Sequence, residues 1–227
     1  MCGRFALIAT WEELEALLSG RDYEPFPPRY NIAPTQPIAI VRQVHHTRRF
    51  ALVRWGLVPA FVEDPKHFSL LINARTEGIL DKPSFRNAMR YRRCLVPASG
   101  FYEWRRQGKS KQPFWVRPRA GGVIAFAGLW ETWSDRDGGE IDSACIVTTS
   151  ANAVVAPIHG RMPVVIAPED FERWLTAEAE DANQLLRPAP DDLFEAIPVS
   201  DRVNKADADD PGLILPVAEM RTDLFGG

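Results

Sequence analysis

Seven short runs rich in β-branched and aromatic residues follow one another through the middle of this 227-residue chain, in succession rather than in alternation with helices. They are IAIVRQV from Ile38, FALVRW from Phe50, FSLLINA from Phe68, PFWVRP from Pro113, VIAFAGLW from Val123, SACIVTT from Ser143 and PVVI from Pro163. Each has the length and composition of a strand. Parallel strands need long, usually helical crossovers between them, so an uninterrupted succession points to an α+β fold with a mostly antiparallel, barrel-like β core. Helices are expected only at the margins. Thr10 and Glu13 form a capping box ahead of Leu14, Leu17 and Leu18. Pro168 at a first helical position, with Phe171, Trp174 and Leu175 behind it, marks a second helix, and a shorter one is expected near Gln184–Leu186. The five prolines between Tyr23 and Pro37 predict extended coil crossing the surface. Neither a repeat nor a linker interrupts the chain, so residues 1–227 are taken as a single domain.

Charge is distributed unevenly. Residues 1–120 carry 20 Lys and Arg against 10 Asp and Glu, while residues 121–227 carry 7 against 20. Basic residues cluster at Arg48, Arg49 and Arg54, at Arg86, Arg90, Arg92 and Arg93, and from Arg105 to Arg119, as a groove following a phosphate backbone needs. Pairing between the two halves accounts for the same asymmetry without a ligand. The three cysteines share no metal-like spacing, so no disulfide framework, zinc site or other cofactor is expected; Cys94 and Cys145 read as buried strand residues. No apolar run approaches the ~20 residues that span a bilayer and no secretory signal opens the chain, so a cytoplasmic location without membrane contact is expected, nucleoid-associated in a bacterium.

Chemistry concentrates at four places. Cys2 becomes an N-terminal 1,2-aminothiol once Met1 is removed, combining a thiol and an amine that both titrate near neutrality. Such an end can attack an amide with the amine as base, or condense with an aldehyde into a five-membered thiazolidine; a cysteine that merely occupies position 2 is the third reading. Gly3 admits close approach, and Arg4 sets a cation beside the thiol, favouring thiolate. Glu103 lies in CLVPASGFYEW, where apolar surroundings raise a carboxyl pKa and suit it to general acid work, unless it faces water from an edge strand. His159 in PIHGRMP is a loop histidine able to exchange a proton. Asn73 and Arg75, two residues apart in LINAR, face the same side of a strand end, where a turn asparagine is the alternative.

Six segments in order, MCGRF, YNIAPTQ, WGLVPAF, LINARTE, CLVPASGFYEW and IHGRMPVVI, resemble the SOS-response-associated peptidase family, sensors of abasic sites in single-stranded DNA. The resemblance implies that Cys2 forms a thiazolidine with the ring-opened abasic sugar, crosslinking protein to DNA and shielding the lesion. It implies that Glu103 opens the sugar, that Asn73 orients the reacting end and that His159 sits by the link. Arg4 and Arg75 match phosphate-holding arginines, and Asn31, Pro34, Thr148 and Arg161 fall along the DNA groove. Phe61, within Ala60-Phe61-Val62, stands where the family often has tryptophan in an aromatic wedge. The partners implied are single-stranded DNA containing abasic sites and replication-fork proteins, with the protein acting as a monomer; lyase and peptidase-type activities accompany the crosslinking.

Two readings of other kinds stand beside this one. A thiol peptidase would use Cys2 on a peptide, including self-processing. A non-covalent single-stranded DNA-binding module would use the basic half with Phe61 and Trp55 as stacking platforms. A glutamine amidotransferase also opens on Met-Cys-Gly, but the chain has no HNG segment to accompany it.

Overall fold

The computed structural model describes residues 2–19 and 27–218. Met1 and the first residues of the proline-rich stretch, Tyr23–Phe26, lie outside them, so the removal of Met1 and that part of the coil have no structural counterpart here.

The chain opens with β1 (Phe5–Leu7), α1 (Trp11–Leu18) and β2 (Arg29–Ile32). The Thr10–Glu13 capping box forms as expected, and Leu14 and Leu18 are buried beneath α1. β2 corrects the expectation for Tyr23–Pro37: Arg29–Ile32 pairs with β1, and Asn31 and Ile32 are buried. Next come β3 (Pro37–Val44), β4 (Thr47–Trp55), β5 (Asn73–Arg75), α2 (Pro83–Tyr91), β6 (Arg93–Ala98) and β7 (Gly100–Gln107). His45 and His46 make the β3–β4 turn, both with positive φ, as the twist of a two-residue hairpin demands. Of FSLLINA only Asn73 and Ala74 fall in a strand, the start of β5, because residues 57–72 instead form an excursion closed by a Leu57–Leu71 bridge. Then follow β8 (Ser110–Pro118), β9 (Ile124–Ser134), β10 (Glu140–Ser150), β11 (Arg161–Pro163), β12 (Val165–Ile166), α3 (Phe171–Thr176), α4 (Ala179–Asn183) and β13 (Phe194–Pro198). The short helix expected near Gln184–Leu186 lies at Ala179–Asn183; its buried Ala179 and Ala182 give no apolar stripe a sequence reader would notice.

Hydrogen bonding runs β10–β4–β3–β6–β9 and returns from β9 to β10, closing a five-stranded barrel. Its β4–β10 pair is parallel and the other four are antiparallel, so the barrel-like α+β fold expected from the strand succession is what the structure shows. A second sheet has the order β13-β8-β7-β1-β2. β6 belongs to the barrel and β7 to the second sheet, and the crossover passes at Gly100. A Cβ there would lie 2.5 Å from the Val116 carbonyl oxygen and 2.7 Å from the Trp115 ring, a contact backbone cannot relieve. Edge-to-face contacts of Phe5 with Trp55 (5.2 Å) and Phe126 (6.2 Å), and of Phe101 with Phe126 (6.0 Å), fasten sheet to barrel, while Phe101 and Phe194 (5.7 Å) pack edge-to-face within the second sheet. Cys94 and Cys145 are fully buried on β6 and β10.

The charge asymmetry is met in part by pairing within the molecule. Arg29–Asp209, Arg42–Asp142, Arg48–Glu172, Arg92–Glu131 and Arg117–Glu195 each join a base of the first half to an acid of the second. Among the described residues no helix is long and apolar enough to cross a membrane.

Candidate active site

The segment preceding β1 continues alongside β7, with the Tyr102 amide donating to the Arg4 carbonyl at 2.9 Å. This brings Cys2 towards Glu103 on β7. Cys2 is fully buried, its thiol 3.7 Å from the Arg4 carbonyl, and Glu103 is only 2% exposed. β5 lies parallel to β10, with Asn73 opposite Ile146, and the Asn73 amide donates to the Cys2 carbonyl at 2.9 Å. The turn between β10 and β11 supplies His159, whose Nδ1 is 3.8 Å from a Glu103 oxygen. Four segments far apart in sequence thus meet in one place, and the four residues singled out for chemistry are brought together.

Their electrostatics are those of a dry pocket. Burial holds the Glu103 carboxyl above its ordinary value, with the His159 charge opposing the shift. Glu103 therefore lies on an inner strand away from water, which excludes the edge-strand alternative. The Cys2 thiol is likewise pushed well up, chiefly by burial and then by the neighbouring Glu103 charge. This runs against the expectation that Arg4 favours thiolate: burial favours the neutral thiol instead. His159 Nδ1 lies 3.0 Å from the Arg161 backbone N–H and 3.2 Å from the Arg161 carbonyl oxygen, so the backbone of Arg161 fixes the ring beside Glu103. The Asn73 Oδ1 is buried and has no hydrogen-bond partner among the described residues.

The profile of a family described as SOS response associated peptidase (SRAP) matches residues 1–206. The chain belongs to the SRAP family. Its curated relatives include the abasic site processing protein YoqW of Bacillus subtilis, 36% identical over 94% of this chain and 99% of the relative. Another is the abasic site processing protein YedK of Escherichia coli, 33% identical over 96% and 100%. The abasic site processing protein HMCES of Gallus gallus is 29% identical over 96% of this chain and 78% of its own. A crystal structure of a Bacteroides thetaiotaomicron protein superposes with a TM-score of 0.85 at 24% identity, covering 96% of this chain and all of that one, which shows the shared fold.

Around this SRAP centre the other candidate residues divide. Arg75 is exposed, two positions beyond Asn73 on the same side of β5. Arg161 opens β11, and its guanidinium grips both Glu77 oxygens at 2.7 and 3.0 Å and the Thr148 carbonyl. That grip holds the Glu77 carboxyl down to about 2. Phe61 stands 60% exposed on the 57–72 excursion, edge-on to Phe68 at 6.5 Å. The excursion is held from beneath by Trp133, whose indole donates to the Val62 carbonyl at 2.6 Å. Pro34 is partly exposed between β2 and β3.

Three expectations need correction. Asn31 is fully buried, its amide donating to the carbonyls of Lys205 (2.9 Å) and Ala208 (2.8 Å), so it cannot line a groove. Thr148 is also fully buried, under Arg161. Trp55 is no stacking platform: it lies in the core with its indole on the Ile72 carbonyl at 3.0 Å. Arg4 departs from the phosphate-holding pattern in part, since it donates to Asn31 Oδ1 (2.9 Å) and to the carbonyls of Val203 (2.6 Å) and Asn204 (3.2 Å). Sequence reading missed this strap, residues 200–210, because it acts through backbone carbonyls that leave no mark on residue type.

Proposed function

We propose that this SRAP protein captures abasic sites in single-stranded DNA by forming a covalent thiazolidine with Cys2 once Met1 is removed. What carries the reading is the convergence of Cys2, Asn73, Glu103 and His159 in one buried cluster, supported by relatives named abasic site processing proteins. An abasic sugar is mostly a closed hemiacetal. A carboxyl kept protonated by burial donates to the ring oxygen while its other oxygen takes the proton of the anomeric hydroxyl, opening the sugar to its aldehyde. The Cys2 amine adds to that aldehyde and water leaves, giving an imine. The thiol then adds to the imine carbon while its proton passes to the nitrogen, closing the ring. A raised thiol pKa suits this order, because the sulfur keeps its proton until the imine can receive it. Asn73 holds the Cys2 carbonyl and so fixes the direction of the amine. Lyase and peptidase-type chemistry would draw on the same residues, and the buried carboxyl favours the aldehyde reaction.

The test is a denaturing gel of protein lacking Met1 mixed with single-stranded DNA carrying one abasic site. A shifted band that disappears in Cys2→Ala and with undamaged DNA is expected. Its absence from correctly processed protein would leave the thiol peptidase and the non-covalent binder as the surviving readings.

A further inference from the structure

The four arginines at 86, 90, 92 and 93 part company in the fold. Arg93 is buried, donating to the carbonyls of Met89, Trp174 and Ala177. Arg92 pairs with Glu131 at 2.7 Å and lies over the Trp130 ring. Arg86 and Arg90 instead stand exposed on α2 with no ion pair or hydrogen bond from their side chains among the described residues. With Lys82 they form a row at four-residue spacing, one face of the helix about 12 Å long.

The N-terminal end of the row is placed against the helix's own interest, although Arg90 in the last turn suits the dipole. Like charges four apart repel, and cations at a helix start oppose its dipole. α2 nevertheless begins on Lys82 and Pro83 with no acidic residue in its first turn; Asp81 precedes the cap. An outside anion would relieve both costs. The row also leads away from the site already described. Lys82 Nζ donates to the Glu77 carbonyl at 3.0 Å, and the Glu77 carboxylate holds Arg161.

We infer that the Lys82–Arg86–Arg90 face of α2 binds the phosphodiester backbone of the strand flanking the abasic site, extending the DNA path outward from Arg161. This rests on the proposed DNA reaction for its partner but makes no use of Cys2. The experiment is equilibrium binding of undamaged single-stranded oligonucleotides across a salt series, comparing wild type with an Arg86→Gln/Arg90→Gln double variant. The oligonucleotides comprise a short core and versions lengthened on the 5′ or the 3′ side.

Wild type is expected to gain affinity on lengthening to one side, and the double variant to lose most of that gain, roughly ten-fold at low salt. The slope of log affinity against log salt should flatten by about 1.4, two single-strand phosphate contacts. Equal slopes and equal gains in both proteins would overturn the inference. Because both side chains are exposed and make no hydrogen bond or ion pair among the described residues, circular dichroism of the variant should match wild type. Failure of Cys2 crosslinking with the slope change intact would remove the covalent reading alone, and the reverse result would remove this surface alone.

Discussion

The candidate site has two walls of opposite character. The wall built by the N-terminal strand and β7 is dry: Cys2 and Glu103 are almost fully excluded from solvent, and burial pushes both towards their neutral forms. The wall built by β5 and β11 is wet and charged, with Arg75 exposed and Arg161 held in a two-oxygen grip by Glu77. Proton transfer and ring closure need the first environment, where charges are costly and protons are kept until required. Holding a polyanion needs the second, where guanidinium groups stay ionised and reachable. One protein surface can do both only because the two walls are supplied by different sheets. The most informative experiments change one wall and leave the other.

Glu103→Gln should have the largest effect. It removes the proton donor while preserving the shape of the dry wall, so crosslinking should slow by about 100-fold or more. Binding to undamaged DNA, a property of the wet wall, should change little. A carboxyl whose folded pKa lies above its unfolded value binds its proton more tightly in the native state. Stability is therefore greatest below the ordinary carboxylate range and falls as pH rises through the raised value. Glutamine cannot ionise, so the variant should gain stability over wild type above that point and match it below. The two unfolding curves measured from pH 4 to 8 test this; parallel curves would show that Glu103 is not the group being kept neutral.

Asn31→Ala acts on the support of the dry wall. It leaves the carbonyls of Lys205 and Ala208 and part of the Arg4 guanidinium without this partner in a partly buried setting. A loss of roughly 3 kcal/mol in urea unfolding is expected. If the strap also positions the N-terminus, the crosslinking rate should fall at temperatures where the variant is fully folded, with DNA affinity retained. Loss of affinity in step with rate would instead place Asn31 on the DNA path.

What the sequence disclosed follows the same division. Strands such as Ile38–Val44 and Val123–Trp130 were legible because β-branched runs are local signals, and Cys2 and Glu103 because a thiol at the start and an acid among aromatics are anomalies of type. β2 was hidden by the prolines that flank it, since pairing with β1 decided its conformation. α2 was hidden by its basic residues, its core face being only Phe85, Ala88 and Met89. The barrel's closure, the β4–β10 parallel pairing and the carbonyl strap around Arg4 are long-range backbone events, and no residue type announces them. Trp55 and Thr148 show the converse, residue types suited to DNA that the fold uses for packing.

The smallest effect is expected beyond both walls, at the rim. Phe61 projects from the 57–72 excursion with most of its ring in water, resting edge-on against Phe68 alone among the aromatic contacts described for it. Such a ring has little packing to lose and a π face to offer a base. Phe61→Trp enlarges that face without disturbing the core beneath, where Val58, Val62 and Trp133 hold the excursion in place. A gain of about 0.5–1 kcal/mol in affinity for single-stranded DNA is expected, with an unchanged salt slope because no charge is added. Phe61→Ala should weaken binding by a comparable or larger amount. If both substitutions leave affinity where it was, bases do not stack at this rim, and the contrast between a dry chemical wall and a charged one accounts for DNA engagement without an aromatic contribution.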